Sequence, residues 1–137
     1  MRPGILRPLA LVVALVALPM AVYAQHGHPL KGQWSGEAGS PGKTMRLLLD
    51  LQWDGKNVTG TINPGGETEA VIRNATVDYS RVTSWAVQME AETKDASGKP
   101  ARIRISATLE NLRVANRVLR GTWTQGGQTM PFTVIRN

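Results

Sequence analysis

The chain has 137 residues, a formal net charge of +6, four tryptophans and no cysteine. The absence of cysteine excludes a disulfide framework, a thiol nucleophile and a cysteine-based metal site. Both histidines, His26 and His28, precede the region that we expect to fold. That region therefore has no residue for a Ser-His-Asp triad and no histidine ligand for zinc or haem.

The first 24 residues predict a secretory signal peptide. Arg2 and Arg7 form a basic segment, residues 9–18 are apolar, and Ala24 ends the segment with a small residue. An apolar run of this length is too short for the roughly 20 residues that span a bilayer, so we expect no stable transmembrane anchor. Cleavage after Ala24 would leave 113 residues with a charge of +4, because both arginines leave with the signal peptide. The expected location is therefore secreted or periplasmic.

Residues 25–30 are polar and contain His, Gly and Pro, a composition that favours a flexible leader. The remaining residues, 31–137, predict a single β-barrel domain. A first strand opens at Gly32, and residues 44–53 alternate between apolar and polar side chains, as in a half-buried strand. Asp54-Gly55 then predicts a hairpin turn.

Six more strands follow in chain order, with Gly-rich or Asp/Ser-rich turns between them. They are predicted at residues 58–62, 67–79 with a kink near Asn74, 82–92, 101–109, 117–124 and 128–136. About eight strands with short connections indicate an all-β, antiparallel, up-and-down barrel, with a β-sandwich as the alternative. Gly60 and Gly121 lie inside strands and favour the strong curvature that closes a sheet.

The two ends of this domain carry a family pattern. Gly32-Gln33-Trp34 opens the first strand, and Arg136 closes the last strand. The arrangement distantly resembles the calycin superfamily, which includes the lipocalins and the avidins. The resemblance implies an eight-stranded barrel in which Trp34 packs against Arg136 and closes one end. It also implies a non-catalytic protein that holds a ligand inside the barrel.

The inward faces of the predicted strands are strongly apolar, and in a small barrel such faces either fill the interior or line a pocket. We expect an exported, non-catalytic protein that binds a small apolar or amphipathic ligand there. The predicted ligand-binding residues are Leu47, Leu49, Leu51, Trp53, Trp85, Met89, Ile103, Ile105, Trp123 and Phe132. The alternative is a secreted or envelope interaction module, an inhibitor or accessory protein, whose filled barrel acts through its surface and loops.

A third alternative is a small barrel enzyme that uses Glu or Asp. Glu90 and Glu92 share one strand face and could form a carboxylate pair for acid/base chemistry. Because Trp85 and Met89 form the more apolar face of this strand, we expect both carboxylates to point outward. The sequence therefore predicts no catalytic residue, no metal site and no cofactor.

Several arginines fall close together in the second half of the chain. They are Arg102, Arg104, Arg113, Arg117 and Arg120. For an exported protein, an anionic envelope surface or a polysaccharide is the expected partner of such a basic surface. Nucleic acid is not expected, because few aromatic residues accompany these arginines.

Overall fold

The computed structural model describes residues 28–137, and within this range it contains eight β-strands and no helix. The predicted signal peptide and His26 lie outside the described residues. The strands are β1 (Gly32–Ser40), β2 (Lys43–Trp53), β3 (Val58–Ile62), β4 (Ala70–Asp78), β5 (Trp85–Lys94), β6 (Pro100–Glu110), β7 (Val118–Gln125) and β8 (Gln128–Arg136).

Each strand pairs in antiparallel fashion with its neighbour in the chain, and β8 returns to pair with β1. The sheet is therefore a closed barrel without a free edge strand, and the predicted up-and-down barrel is confirmed. The β-sandwich alternative is wrong, because the strands form one continuous sheet instead of two packed sheets. Closure brings Trp34 of β1 directly opposite Arg136 of β8.

Alternation along the strands places one apolar face inside the barrel. In β2, Leu47, Leu49 and Leu51 are buried, whereas Arg46 and Gln52 point outward and are exposed. This follows from the pleat, which sends successive side chains to opposite faces of a sheet. Every fully buried residue in the described range is apolar, so the barrel core requires no buried ion pair.

Two strands begin later than the alternation predicts, because turns occupy their first residues. β4 starts at Ala70 after a turn in which the Glu69 amide donates to the Gly66 carbonyl at 3.2 Å. β5 starts at Trp85, after a loop in which the Ser80 amide donates to the Asp78 carboxylate at 2.9 Å. The kink predicted near Asn74 is confirmed by a shift of register between Ile72 and Asn74.

Two strand glycines permit a close approach of neighbouring backbones. A Cβ atom at Gly121 of β7 would collide with the carbonyl oxygen of Ser106 in β6. A Cβ atom at Gly60 of β3 would likewise collide with the carbonyl oxygen of Asp50 in β2. Both contacts agree with the curvature that these glycines predict, because any other residue would push the paired strands apart.

The barrel has two ends with different connections, and β1 begins at one of them. We call that one the leader end and the opposite one the hairpin end. The leader end consists of residues 28–31, 54–57, 79–84 and 111–117. The hairpin end consists of residues 41–42, 63–69, 95–99 and 126–127. Within residues 28–137 the structure contains no helix that is long and apolar enough to cross a membrane.

Residues 28–30, the described part of the leader predicted at residues 25–30, pack against the barrel. Leu30 is fully buried in the barrel core. Its carbonyl oxygen accepts a hydrogen bond from Trp34 Nε1 at 2.9 Å, and its amide donates to His28 Nδ1 at 3.1 Å. Residues 28–31 therefore form a plug at the leader end, because the buried indole N–H needs an acceptor and Leu30 provides one.

Candidate binding surface at the leader end of the barrel

The ten residues predicted to bind a ligand all lie on the inside of the barrel or at its mouth. Eight of them are buried, and Trp53 and Trp85 are half-buried against the core. Leu49, Leu51 and Ile105 have 0 % of their surface accessible to water. A ligand cavity of about 300 Å³ or more would leave accessible surface on the side chains that line it. The interior around these residues is filled, and their ligand-binding role stays a prediction.

Trp34 and Arg136, the predicted barrel closure, face each other across two paired strands, and their packing against each other stays a prediction. Trp34 is fully buried, and Arg136 lies opposite it in the β1–β8 register. The Arg136 guanidinium passes over Gly32, where a Cβ atom would lie only 2.8 Å from Nε. This Nε atom is buried and has no hydrogen-bond partner among the described residues. The glycine of the Gly-x-Trp motif therefore makes room for the arginine.

Four aromatic rings meet at the leader end and form what we call the aromatic cluster. The His28 ring lies 4.3 Å from the Trp53 ring between centroids, at an interplanar angle of 31°, and 6.0 Å from the Trp85 ring. Tyr79 packs edge-on against Trp85 at 4.6 Å. The plug thus covers the two tryptophans that are not buried by the barrel itself.

Hydrogen bonds determine the tautomer of His28. Nδ1 accepts from the Leu30 amide, so the proton of the neutral ring is on Nε2, which donates to the Tyr79 hydroxyl at 3.0 Å. Partial burial lowers the pKa of the His28 imidazole below its usual value, because desolvation disfavours the charged form. His28 is therefore neutral at pH 7 and holds the plug through both ring nitrogens.

The three most exposed large apolar side chains among residues 28–137 lie in the loops of this end of the barrel. Val82 is 79 % exposed, Val114 is 52 % exposed and Tyr79 is 51 % exposed. Tyr79 and Val82 lie on the loop 79–84, and Val114 lies on the loop 111–117. These loops extend from strands β5 and β6, which pair directly, so they are neighbours at the same end of the barrel.

The two loops share a short sequence feature, an exposed arginine followed by an exposed valine. Arg81-Val82 occupies the first loop and Arg113-Val114 the second, and we call them the Arg-Val pairs. In the second loop, Arg117 Nε donates to the Leu112 carbonyl at 3.1 Å and so braces the loop from inside. The arrangement presents cationic and aliphatic groups side by side to solvent.

The two ends of the barrel also differ in charge. The leader-end segments carry five basic residues and one acidic residue, whereas the hairpin-end segments carry one basic and three acidic residues. At the leader end the basic residues are Lys31, Lys56, Arg81, Arg113 and Arg117, and the acidic residue is Asp54. At the hairpin end the basic residue is Lys99, and the acidic residues are Glu67, Glu69 and Asp95. The loops of the leader end thus carry a formal charge of +4 against −2 at the hairpin end.

The arginines that the sequence groups into one basic stretch lie on two different surfaces of the barrel. Arg102 and Arg104 lie on the outer face of β6 and Arg120 on that of β7, where Arg104 contacts Glu90 at 3.5 Å. Arg113 and Arg117 belong instead to the leader end. Sequence analysis did not identify His28, Tyr79, Arg81 and Val82 as parts of one surface. The Arg-Val dipeptide alone could not have linked the two loops, because it also occurs at Arg117-Val118, where neither residue is exposed.

The carboxylates on which an enzyme would depend point outward, as the sequence predicts. Glu92 contacts Arg73 at 3.4 Å, and Glu90 contacts Arg104. Both pairs lie on the outer surface of the barrel, in water.

No protein-family model, curated protein or solved structure matches this chain. The likeness to the calycins therefore rests on Gly32, Trp34 and Arg136 and stays a prediction. What the structure itself establishes is a closed, antiparallel, eight-stranded barrel.

Proposed function

We propose that this chain is an exported, non-catalytic binding protein that acts through the leader end of its barrel. One observation carries the proposal: exposed apolar side chains and arginines gather at this end, while the inward side chains fill the barrel. Solvent-exposed Val82 and Val114 contribute nothing to the core. Exposed apolar groups framed by charged residues are typical of interaction surfaces.

A second candidate is the small apolar or amphipathic ligand that the strand pattern predicts. The half-buried rings of Trp53 and Trp85 favour it, because a ligand that displaced the plug would meet both of them. The filled interior opposes it, because a ligand would have to displace closely packed side chains such as Leu51 and Ile105. We therefore place the binding surface on the outside of the leader end.

The test uses 8-anilinonaphthalene-1-sulfonate, an anionic aromatic probe that suits a surface with both valines and arginines. We expect amide resonances of the loops 79–84 and 111–117 to shift on titration. Resonances of Leu49 and Ile105 should stay unchanged. A V82S/V114S variant should lose most of the probe fluorescence, and the matched outer-face variant L48S/V71S should keep it.

The opposite pattern would overturn the proposal. If the probe shifts Leu49 and Ile105 but leaves both loops unchanged, the interior is the binding site and the second candidate is favoured. Titration with fatty acids, retinoids and tetrapyrroles gives an independent check. A saturable change of tryptophan emission that persists in V82S/V114S would point to the same conclusion.

A further inference from the structure

We infer that the leader end docks on an anionic phospholipid bilayer, with the two Arg-Val pairs as its contacts. This inference rests on the proposed function, because it assigns a partner to the same surface. Its structural basis is the pairing of a cation with an exposed aliphatic group on two adjacent loops. Val82 and Val114 are the valines that insert, and Arg81 and Arg113 are the cations beside them.

The chemistry of an Arg-Val pair matches the boundary of a bilayer. An aliphatic side chain gains free energy when it leaves water for the region between headgroups and acyl chains. The adjacent guanidinium stays at headgroup level, where it donates paired hydrogen bonds to phosphate oxygens. Arg81 precedes Val82, and Arg113 precedes Val114. Both loops therefore present the two groups in the same chain order.

Charge complementarity gives the docking its direction. The leader-end loops carry +4, whereas the −2 of the hairpin-end loops is offset by Lys43 and Lys94 at the adjoining strand ends, so an anionic surface attracts the leader end more strongly. Asp78 interacts electrostatically with Arg81 and also accepts a hydrogen bond from the Ser80 amide. Glu110 ends β6 at the same end of the barrel. These two carboxylates reduce the positive charge of this end but leave it basic.

A polysaccharide fits these residues less well than a bilayer does. Sugars bind by stacking on aromatic faces and by hydrogen bonding, and valine offers neither. One face of Trp53 is covered by His28, and Trp85 is contacted by Tyr79, which leaves less aromatic surface for stacking on a sugar. A protein partner would need a continuous complementary patch, whereas the two valines stand on separate loops.

Co-sedimentation with vesicles tests the inference. The purified protein is mixed with phosphatidylcholine vesicles that either contain or lack phosphatidylglycerol. We expect binding only to the anionic vesicles. R81Q/R113Q and V82S/V114S should each weaken it by about tenfold or more, since each basic or apolar contact contributes separately. R102Q/R120Q and L48S/V71S are the matched controls on the outer face and should bind like the parent protein.

Three results would overturn the inference. They are equal binding to neutral and anionic vesicles, equal weakening by the outer-face arginine variant, and no vesicle binding at all. Binding to dextran sulfate that survives in V82S/V114S, with no vesicle binding, would instead assign the surface to a polysaccharide. Failure of this inference can be distinguished from failure of the proposed function. If the proposed function is wrong, the naphthalene probe shifts resonances of interior residues, whether or not the protein binds vesicles. Circular dichroism of each variant confirms that the barrel is intact.

Discussion

Trp34 is one of the two largest fully buried side chains and serves two purposes at once. Its ring fills the leader end of the barrel, and its indole N–H donates to the Leu30 carbonyl. A buried donor without a partner costs roughly 1–3 kcal/mol, so the position of Leu30 matters to the stability of Trp34. The residue thereby links the barrel to the plug.

We predict that Trp34→Ala lowers the free energy of unfolding by about 3–5 kcal/mol, the usual cost of truncating a buried aromatic ring. Urea unfolding of the variant and the parent protein measures it. Trp53→Ala is the matched control. Because Trp53 is only half-buried, this variant should lose less of its free energy of unfolding than Trp34→Ala does. A loss below about 1 kcal/mol for Trp34→Ala would show that this ring does not close the barrel.

Gly32 shows how one small residue determines a contact made from the other end of the chain. Its φ of +132° is one that side-chain-bearing residues rarely adopt, and the Arg136 guanidinium occupies the space of a Cβ atom. The Gly-x-Trp motif is therefore explained physically. Glycine admits the arginine, and tryptophan stands opposite it in the β1–β8 register.

At the scale of an element, the plug is the part of the molecule that joins the fold to the candidate surface. It buries Leu30, covers Trp53 and bonds to Tyr79 through His28. Its hydrogen bonds require a neutral imidazole, because a protonated Nδ1 cannot accept from the Leu30 amide. Protonation of the His28 ring would therefore break a hydrogen bond that holds the plug in place.

We predict that acid weakens the protein through His28. Because the folded-state pKa lies below the unfolded value near 6.5, the unfolded chain binds more protons between the two values. The contribution of the neutral ring is complete above about pH 6.5 and is lost as the pH falls through the folded-state pKa. We therefore compare the urea midpoint of unfolding at about pH 7.5 and about pH 5.5. Between these two pH values, the midpoint of the parent protein should fall further than that of His28→Gln.

His26 remains in that variant, so its contribution cancels in the comparison. Equal pH dependence in both proteins would show that the plug does not sense protonation. Tyr79→Phe gives a second control, because it removes the hydroxyl that His28 Nε2 contacts but leaves the Leu30 bond intact. This variant should keep most of the acid sensitivity.

At the scale of the whole molecule, closure of the barrel depends on contacts between the ends of the described chain. Trp34 pairs with Arg136, and Ala38 pairs with Phe132. Such non-local pairs form only after a long loop has closed, which slows folding and joins all eight strands in one cooperative unit. The plug adds the segment before β1 to the same unit.

We predict a single unfolding transition in which tryptophan emission and far-ultraviolet circular dichroism coincide. Refolding should take milliseconds to seconds, as in other proteins dominated by non-local strand pairs. Both are measured in urea by equilibrium and stopped-flow methods. An earlier transition in emission than in circular dichroism would show that the leader end opens locally while the barrel remains folded.

The fold was largely accessible from the sequence, because its signals are local. Alternation in residues 44–53 predicted which leucines are buried, and the glycine turns predicted the number of strands. The candidate site was less accessible. Tyr79 and His28 lie 51 positions apart in the chain, and no local pattern links them.

The sequence by itself determined an all-β barrel and its inward faces, because period-two burial and turn chemistry act between near neighbours. The pairing of Trp34 with Arg136 was an expectation implied by the resemblance to the calycins. Only the tertiary structure decided that the interior is filled and that residues 28–31 form a plug, since packing depends on volumes contributed by all eight strands. It also decided that the two Arg-Val pairs share one end, because β5 and β6 lie side by side. Charge and exposure then give that end its proposed role.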